Sequence, residues 1–171
     1  MNDTTTNQAK EQARAQLDSV IAMIERLNHV QTCDGDDCKL TDQEIFAGIG
    51  YIGDKLEDQY IEEYHDEDAA RQAIEEDPLS VEVRSNWHSP GSEILDDFSI
   101  DADAIPYTEY KILLCTGGPA VRITGTLSQH SQPDSAVIEY QDWGTPWTEL
   151  QVPRSEELTM IQYANCFYFG D

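Results

Sequence analysis

The sequence predicts an α+β fold, on three observations. Apolar residues recur at helical spacing as far as Pro78 and alternate from Leu79 onward, so the hydrophobic period changes once along the chain. The two most strand-like runs flank Gly117-Gly118, a pair that supplies the positive φ angles of a tight hairpin. Helices therefore come first, an antiparallel sheet of about four strands follows over residues 79–143, and a helix closes the chain; segregation of this kind belongs to the α+β class.

Residues 1–6 read as a polar end. From about Asn7 to Asn28, Ala13, Leu17, Val20, Ile21, Ile24 and Leu27 form one apolar stripe, opposite Lys10, Arg14, Asp18, Glu25 and Arg26. The run Thr32-Cys33-Asp34-Gly35-Asp36-Asp37 breaks that helix. Thr41 and Glu44 make a capping box ahead of Ile45 and Phe46. Ile45, Ile49, Ile52, Leu56 and Tyr60 continue on one side, but glycine costs about 1 kcal/mol in a helix interior. Gly48, Gly50 and Gly53 thus place a break near Gly53 and a further helix from about Lys55 to Tyr64. Asp66 caps a helix over Glu67 to Glu76, with Ala69, Ala70, Ala73 and Ile74 inward, and Pro78 ends it.

Leu79, Val81 and Val83 alternate with Ser80, Glu82 and Arg84 as a first strand. Residues 88–106 are polar and acidic and read as a loop. Tyr107 to Cys115, Ala120 to Leu127 and Ser135 to Trp143 are the next strands, the last preceded by a Gln132-Pro133-Asp134 turn. Ser155, Glu156 and Glu157 start the final helix, with Leu158, Ile161, Ala164 and Tyr168 as its inner stripe and Gly170 as its stop. A meander this small needs a helix on one face; the first and last helices are the candidates. The division is an acidic helical region, residues 1–78, and a sheet with its closing helix, residues 79–171, in one compact domain.

Charge is the strongest functional signal. The chain holds 34 acidic and 10 basic residues, a formal net charge of −24, where a small domain usually carries a magnitude of about 2–8. Residues 1–33 hold four acids and three bases, whereas residues 34–77 hold sixteen acids and three bases. Such a surface is repelled by nucleic acid and by anionic membranes, so any charged partner is basic. Met1-Asn2-Asp3-Thr4 has neither the basic nor the apolar part of a signal peptide, and no apolar run approaches the ~20 residues of a membrane span. The expectation is a cytoplasmic protein that contacts neither membrane nor nucleic acid directly; its oligomeric state is left open.

Several motifs compete with simpler readings. Gly48-Ile49-Gly50-Tyr51-Ile52-Gly53 has the G-x-G-x-x-G form but follows a capping box rather than a strand, so no dinucleotide cofactor is expected. His29, Cys33 and Cys38 offer three metal ligands, but zinc needs four and the second pair is missing, since Cys115 and Cys166 read as core. Asp34, Asp36 and Asp37 lack the loop length and closing glutamate of a calcium site. No metal is therefore assigned, and the two thiols read as loop cysteines that join only on oxidation. Cys115 with His88 or His130 is the one nucleophilic set, with nothing in the sequence to fix its geometry, and no catalytic residue is assigned. The aromatics Tyr140, Trp143, Trp147, Tyr163, Phe167, Tyr168 and Phe169 read as core, with a contact patch around Trp143 and Trp147 as the alternative.

The acidic stretch itself has a geometric reading. Carboxylates three or four residues apart on a helix stand about 5–6 Å apart on one face, a scale similar to that of successive phosphates. Asp54, Glu57, Asp58, Glu62 and Glu63 make one such row, and Asp66, Glu67, Asp68, Glu75, Glu76 and Asp77 extend it. The runs Leu79-Ser80-Val81-Glu82-Val83-Arg84-Ser85, Trp87-His88-Ser89-Pro90-Gly91, Gly117-Gly118-Pro119-Ala120-Val121-Arg122-Ile123 and Glu139-Tyr140-Gln141-Asp142-Trp143-Gly144-Thr145-Pro146-Trp147 resemble a family of small uncharacterised acidic proteins of bacterial plasmids, phages and integrative elements. That resemblance covers about residues 79–169 and implies no active site. In charge and size alone the chain is similar to anti-restriction and anti-CRISPR proteins that mimic DNA. The leading expectation is a non-enzymatic inhibitor that presents this acidic face to a basic nucleic-acid-binding protein or complex. A salt-adapted housekeeping protein and a small Cys/His enzyme are the alternatives.

Overall fold

A computed structural model describes residues 3–33, 38–49, 58–85 and 107–170. Helix α1 spans Asp3–Val30, α2 Asp42–Ile49, α3 Asp58–His65 and α4 Glu67–Glu76. Strands β1 (Ser80–Arg84), β2 (Glu109–Cys115), β3 (Ala120–Thr126), β4 (Val137–Gln141) and β5 (Thr148–Glu149) follow, then α5 (Arg154–Ala164). The strands pair antiparallel in chain order, β1-β2-β3-β4-β5, as a meander. The α+β class holds, with one strand more than the sequence announces.

Local chemistry explains most boundaries. Thr41 and Glu44 form the capping box reciprocally: the Thr41 N–H donates to Glu44 Oε2 at 2.7 Å and the Glu44 N–H to Thr41 Oγ1 at 3.3 Å. The Asp66 carboxylate accepts the Ala69 N–H at 3.1 Å and starts α4 at the expected residue. Gly117 and Gly118 both have positive φ, 117° and 126°, at the β2–β3 connection. The expected break at Gly53, the loop over 88–106 and residues Asp54 and Glu57 lie outside the described residues.

One face of the sheet is the floor of the core. In the register, Val83 faces Tyr110, Tyr110 faces Gly125, Ile112 faces Ile123 and Ile123 faces Ile138, so these side chains share that face. Onto it packs the α1 stripe, Ala9, Ala13, Leu17, Val20, Ile24 and Leu27, all buried. Ala70 and Ile74 of α4 and Met160, Tyr163 and Ala164 of α5 complete one apolar core that spans both regions of the chain. Each large side chain so buried contributes about 1.5–3 kcal/mol. The opposite face carries cross-strand ion pairs: Arg84 with Glu109, Lys111 with Glu82 and Arg122 with Glu139.

Several expectations change: α1 begins at Asp3 rather than near Asn7, and Ala73 of α4 is exposed rather than inward. Helix α5 ends at Ala164, so Tyr168 lies beyond it and stands 77% exposed, and Leu158 faces solvent as well. Met160 and Tyr163 take the inner positions instead. Trp143 also leaves the core: it is 79% exposed, its indole lying against Gly118, where an added Cβ would meet Nε1 at 1.9 Å.

Candidate functional site

The acidic row falls on α3 and α4. Glu62, Glu63, Asp66, Glu67, Asp68, Glu75 and Glu76 are all exposed. Arg71 alone among the basic residues lies in 58–77, and it pairs with Glu67 at 2.7 Å. Glu62 and Glu63 occupy the last turn of α3, and Glu75 and Glu76 that of α4. Helix C-termini carry partial negative charge, so carboxylates there oppose folding by about 0.3–1 kcal/mol each. Asp77 does not join this face. It is half-buried, and its carboxylate accepts the Tyr163 hydroxyl at 2.5 Å; burial raises its pKa, and the tyrosine hydrogen bond only partly offsets this. Asp58 opens α3, and Asp54 and Glu57 lie outside the described residues.

A second constellation lies where α1, α2 and α3 meet. His29 sits in the last turn of α1 and Cys33 just beyond it, its N–H donating to the His29 carbonyl at 2.9 Å. Cys38 leads toward α2, and His65 is the last residue of α3. Their donor atoms, two sulfurs and two imidazole nitrogens, all lie within 4.8 Å of one another. Cys38 Sγ is 3.4 Å from His29 Nε2, and Cys33 Sγ is 3.8 Å from His65 Nε2. His65 Nδ1 contacts the Ile61 carbonyl at 2.8 Å. A carbonyl only accepts, so Nδ1 carries the proton and Nε2 presents its lone pair to the cluster. Burial raises the Cys38 thiol pKa, and contact with Cys33 adds to the rise; burial, then the neighbouring His65, lowers His29.

Sequence reasoning found His29, Cys33 and Cys38 but not His65. The fourth donor lies 27 residues beyond Cys38 in the chain, so no local spacing announces it. The signal that was present is the position of His65 directly after the helix expected to end at Tyr64.

Around this cluster α3 is anchored to α1. Arg26 is buried; its Nη2 donates to the Glu63 carbonyl at 2.6 Å and its Nε to the Tyr64 carbonyl at 3.1 Å, capping the end of α3. The Tyr64 ring presses on Gly48 of α2, where a Cβ would meet Cε2 at 2.3 Å. That close approach accounts for the first glycine of the G-x-G-x-x-G run. Comparison with family models, curated proteins and solved structures finds no match to this chain.

The remaining candidates are placed as follows. Cys115 ends β2 beside the Gly117-Gly118 turn, its thiol directed at the Pro119 carbonyl at 3.8 Å and its pKa raised by burial. His130 lies in the Ser128–Gln132 turn past the far end of β3, so the length of that strand separates the two. His88 lies outside the described residues. Trp147 stacks on the Arg122 guanidinium with 4.0 Å to the ring centroid. Among the described residues no helix is long and apolar enough to cross a membrane.

Proposed function

We propose that this chain is a non-enzymatic binding protein whose α3–α4 face occupies the cationic groove of a nucleic-acid-binding protein or complex and blocks it. The observation that carries the reading is the segregation of charge. Seven exposed carboxylates on residues 60–77 stand against one arginine, and four of the seven sit in last helical turns where they oppose the fold. Elsewhere among the described residues five bases stand in ion pairs: Arg14 with Asp18 and Glu156, Arg154 with Glu157, and those of the three pairs on the outer sheet face. An excess of carboxylates on one segment, four of them against the preference of the helices that carry them, fits a surface built for a partner. The resemblance to acidic proteins of mobile elements fits a block on a host defence complex, whether CRISPR or restriction.

Salt adaptation is the second reading, favoured by the small number of lysines, Lys10, Lys39, Lys55 and Lys111. The two readings separate in one experiment. A pull-down from host lysate at low salt supplies the partner, and the purified pair is titrated at several salt concentrations with duplex DNA or RNA as competitor. Exposed charge pairs are screened over about 8–10 Å at physiological ionic strength, so affinity falls steeply with salt and nucleic acid displaces the protein. An affinity indifferent to both sinks the mimic reading. Stability that climbs to molar salt with no partner at any concentration supports salt adaptation.

A further inference from the structure

We propose that His29, Cys33, Cys38 and His65 form a closed tetrahedral zinc site that staples α2 and α3 to the end of α1. The chain holds four cysteines and four histidines, and half of each set converges on one point from three separate elements. Zinc binds sulfur at about 2.3 Å and nitrogen at about 2.0–2.1 Å, so a tetrahedron has edges of about 3.3–3.8 Å. The Cys38–His29 and Cys33–His65 separations, 3.4 and 3.8 Å, already lie in that range. The widest separation in the cluster, 4.8 Å, closes with a contraction of about 1 Å.

The donor set selects the ion. Two sulfurs and two imidazoles in a tetrahedron suit zinc, whereas calcium and magnesium take oxygen. Four protein ligands leave no open position, so the site is structural rather than catalytic. Its second shell is in place, because the Ile61 carbonyl fixes the His65 tautomer with Nε2 free to ligate. Both histidines stand in last helical turns, where the partial negative charge of the helix end favours a cation. Binding releases two protons, one from each thiol, and the two thiolates balance the ion's charge.

The fold needs such a staple. Helices α2 and α3 have eight residues each, below the ~12–15 at which isolated helices become even marginally stable. Their buried residues Ile45, Phe46 and Tyr64 stand outside the main apolar core. The inference does not depend on the partner proposed above.

The test uses the full chain without a histidine tag, grown with zinc and purified under reducing conditions without chelator. Metal analysis is expected to return one zinc per chain. Cobalt(II) added to the chelator-stripped protein is expected to give, at one equivalent, the intense visible bands of a tetrahedral site and thiolate charge-transfer absorption. Cys33→Ser with Cys38→Ser is expected to lose both signals, and His65→Ala to lose the retained zinc, while His130→Ala keeps everything. Because the sheet core lies elsewhere, the ligand variants are expected to retain sheet circular dichroism while amides of α2 and α3 exchange faster. Protein isolated without zinc whose cobalt spectrum lacks thiolate bands overturns the site. So does a Cys33–Cys38 disulfide in cells lysed directly into alkylating agent without reductant, or zinc binding that survives loss of both cysteines.

Discussion

Asp77 follows α4 with its carboxylate turned inward on the Tyr163 hydroxyl, and burial raises its pKa from an ordinary 3.8. The folded chain therefore holds this proton more tightly than the unfolded one. Between the ordinary value and the raised one the native state binds more protons, so this group's contribution to stability falls as pH rises through that window. Asp77→Asn keeps an acceptor for Tyr163 and cannot ionise. Urea unfolding across that pH range is expected to show the variant gaining on the parent as pH rises and levelling off above the window; a constant difference would falsify the assignment. Gly125 makes a second residue-scale case. It faces Tyr110 across β2 and β3, and a Cβ there would sit 2.0 Å from the Ser135 carbonyl, the same oxygen that accepts the Tyr110 hydroxyl at 2.8 Å. Gly125→Ala is expected to cost about 1–3 kcal/mol by overpacking. An alanine variant as stable as the parent in denaturant melts counts against the packing of Tyr110 described above.

Among the elements, α3 is held by few contacts, and Arg26 is the most consequential. Its guanidinium serves two C-terminal carbonyls of that helix and stands 5.6 Å from the Tyr64 ring centroid. Hydrogen bonds from a charged donor are worth about 1.5–3 kcal/mol each, so Arg26→Met is expected to loosen α3 by about that much. Hydrogen exchange reads this directly: amides of Asp58–His65 lose protection while β2 and β3 do not, and a uniform loss contradicts the anchoring role. Legibility from sequence also differs by element. The bounds of helix α4 were readable to the residue, because its cap and the Pro78 stop are local, but of its expected inner stripe only Ala70 and Ile74 are buried and Ala73 is exposed. Strand β5 was not, since two exposed polar residues, Thr148 and Glu149, carry no alternation and exist as a strand only through pairing with β4. The inner stripe of α5 was misread because helical spacing was continued through Tyr168, past the Asn165 cap that ends the helix. Three members of the Cys/His cluster were visible in the sequence, where no metal was assigned to them; the last member depends on where α3 ends in space.

At the scale of the molecule, the proposed contact face can be inverted without harming the fold. Glu62, Glu63, Glu75 and Glu76 all sit in last helical turns, where lysine interacts favourably with the helix dipole. The fourfold change to Lys moves the formal charge by eight from −24. It is expected to leave the thermal midpoint equal or higher and to abolish binding of the partner, whereas single changes have small effects, exposed ion pairs being worth ~0–1 kcal/mol. Full binding by the fourfold variant removes this segment from the contact surface. Helix α1 has a consequence of another kind, in time. Its 28 residues are complete before β1–β5 are made, yet the surfaces that cover its apolar stripe are supplied as late as β4 and α5, whose last residue is Ala164. At synthesis rates of about 5–20 residues per second, α1 waits on the order of ten seconds with Leu17, Val20 and Ile24 uncovered. Until β4 and α5 emerge, this part of the nascent chain is an amphipathic helix with an acidic segment behind it. Whatever keeps it soluble then must act on the helix, and the excess carboxylates that emerge behind it, mutually repelling, are the first protection the chain itself provides.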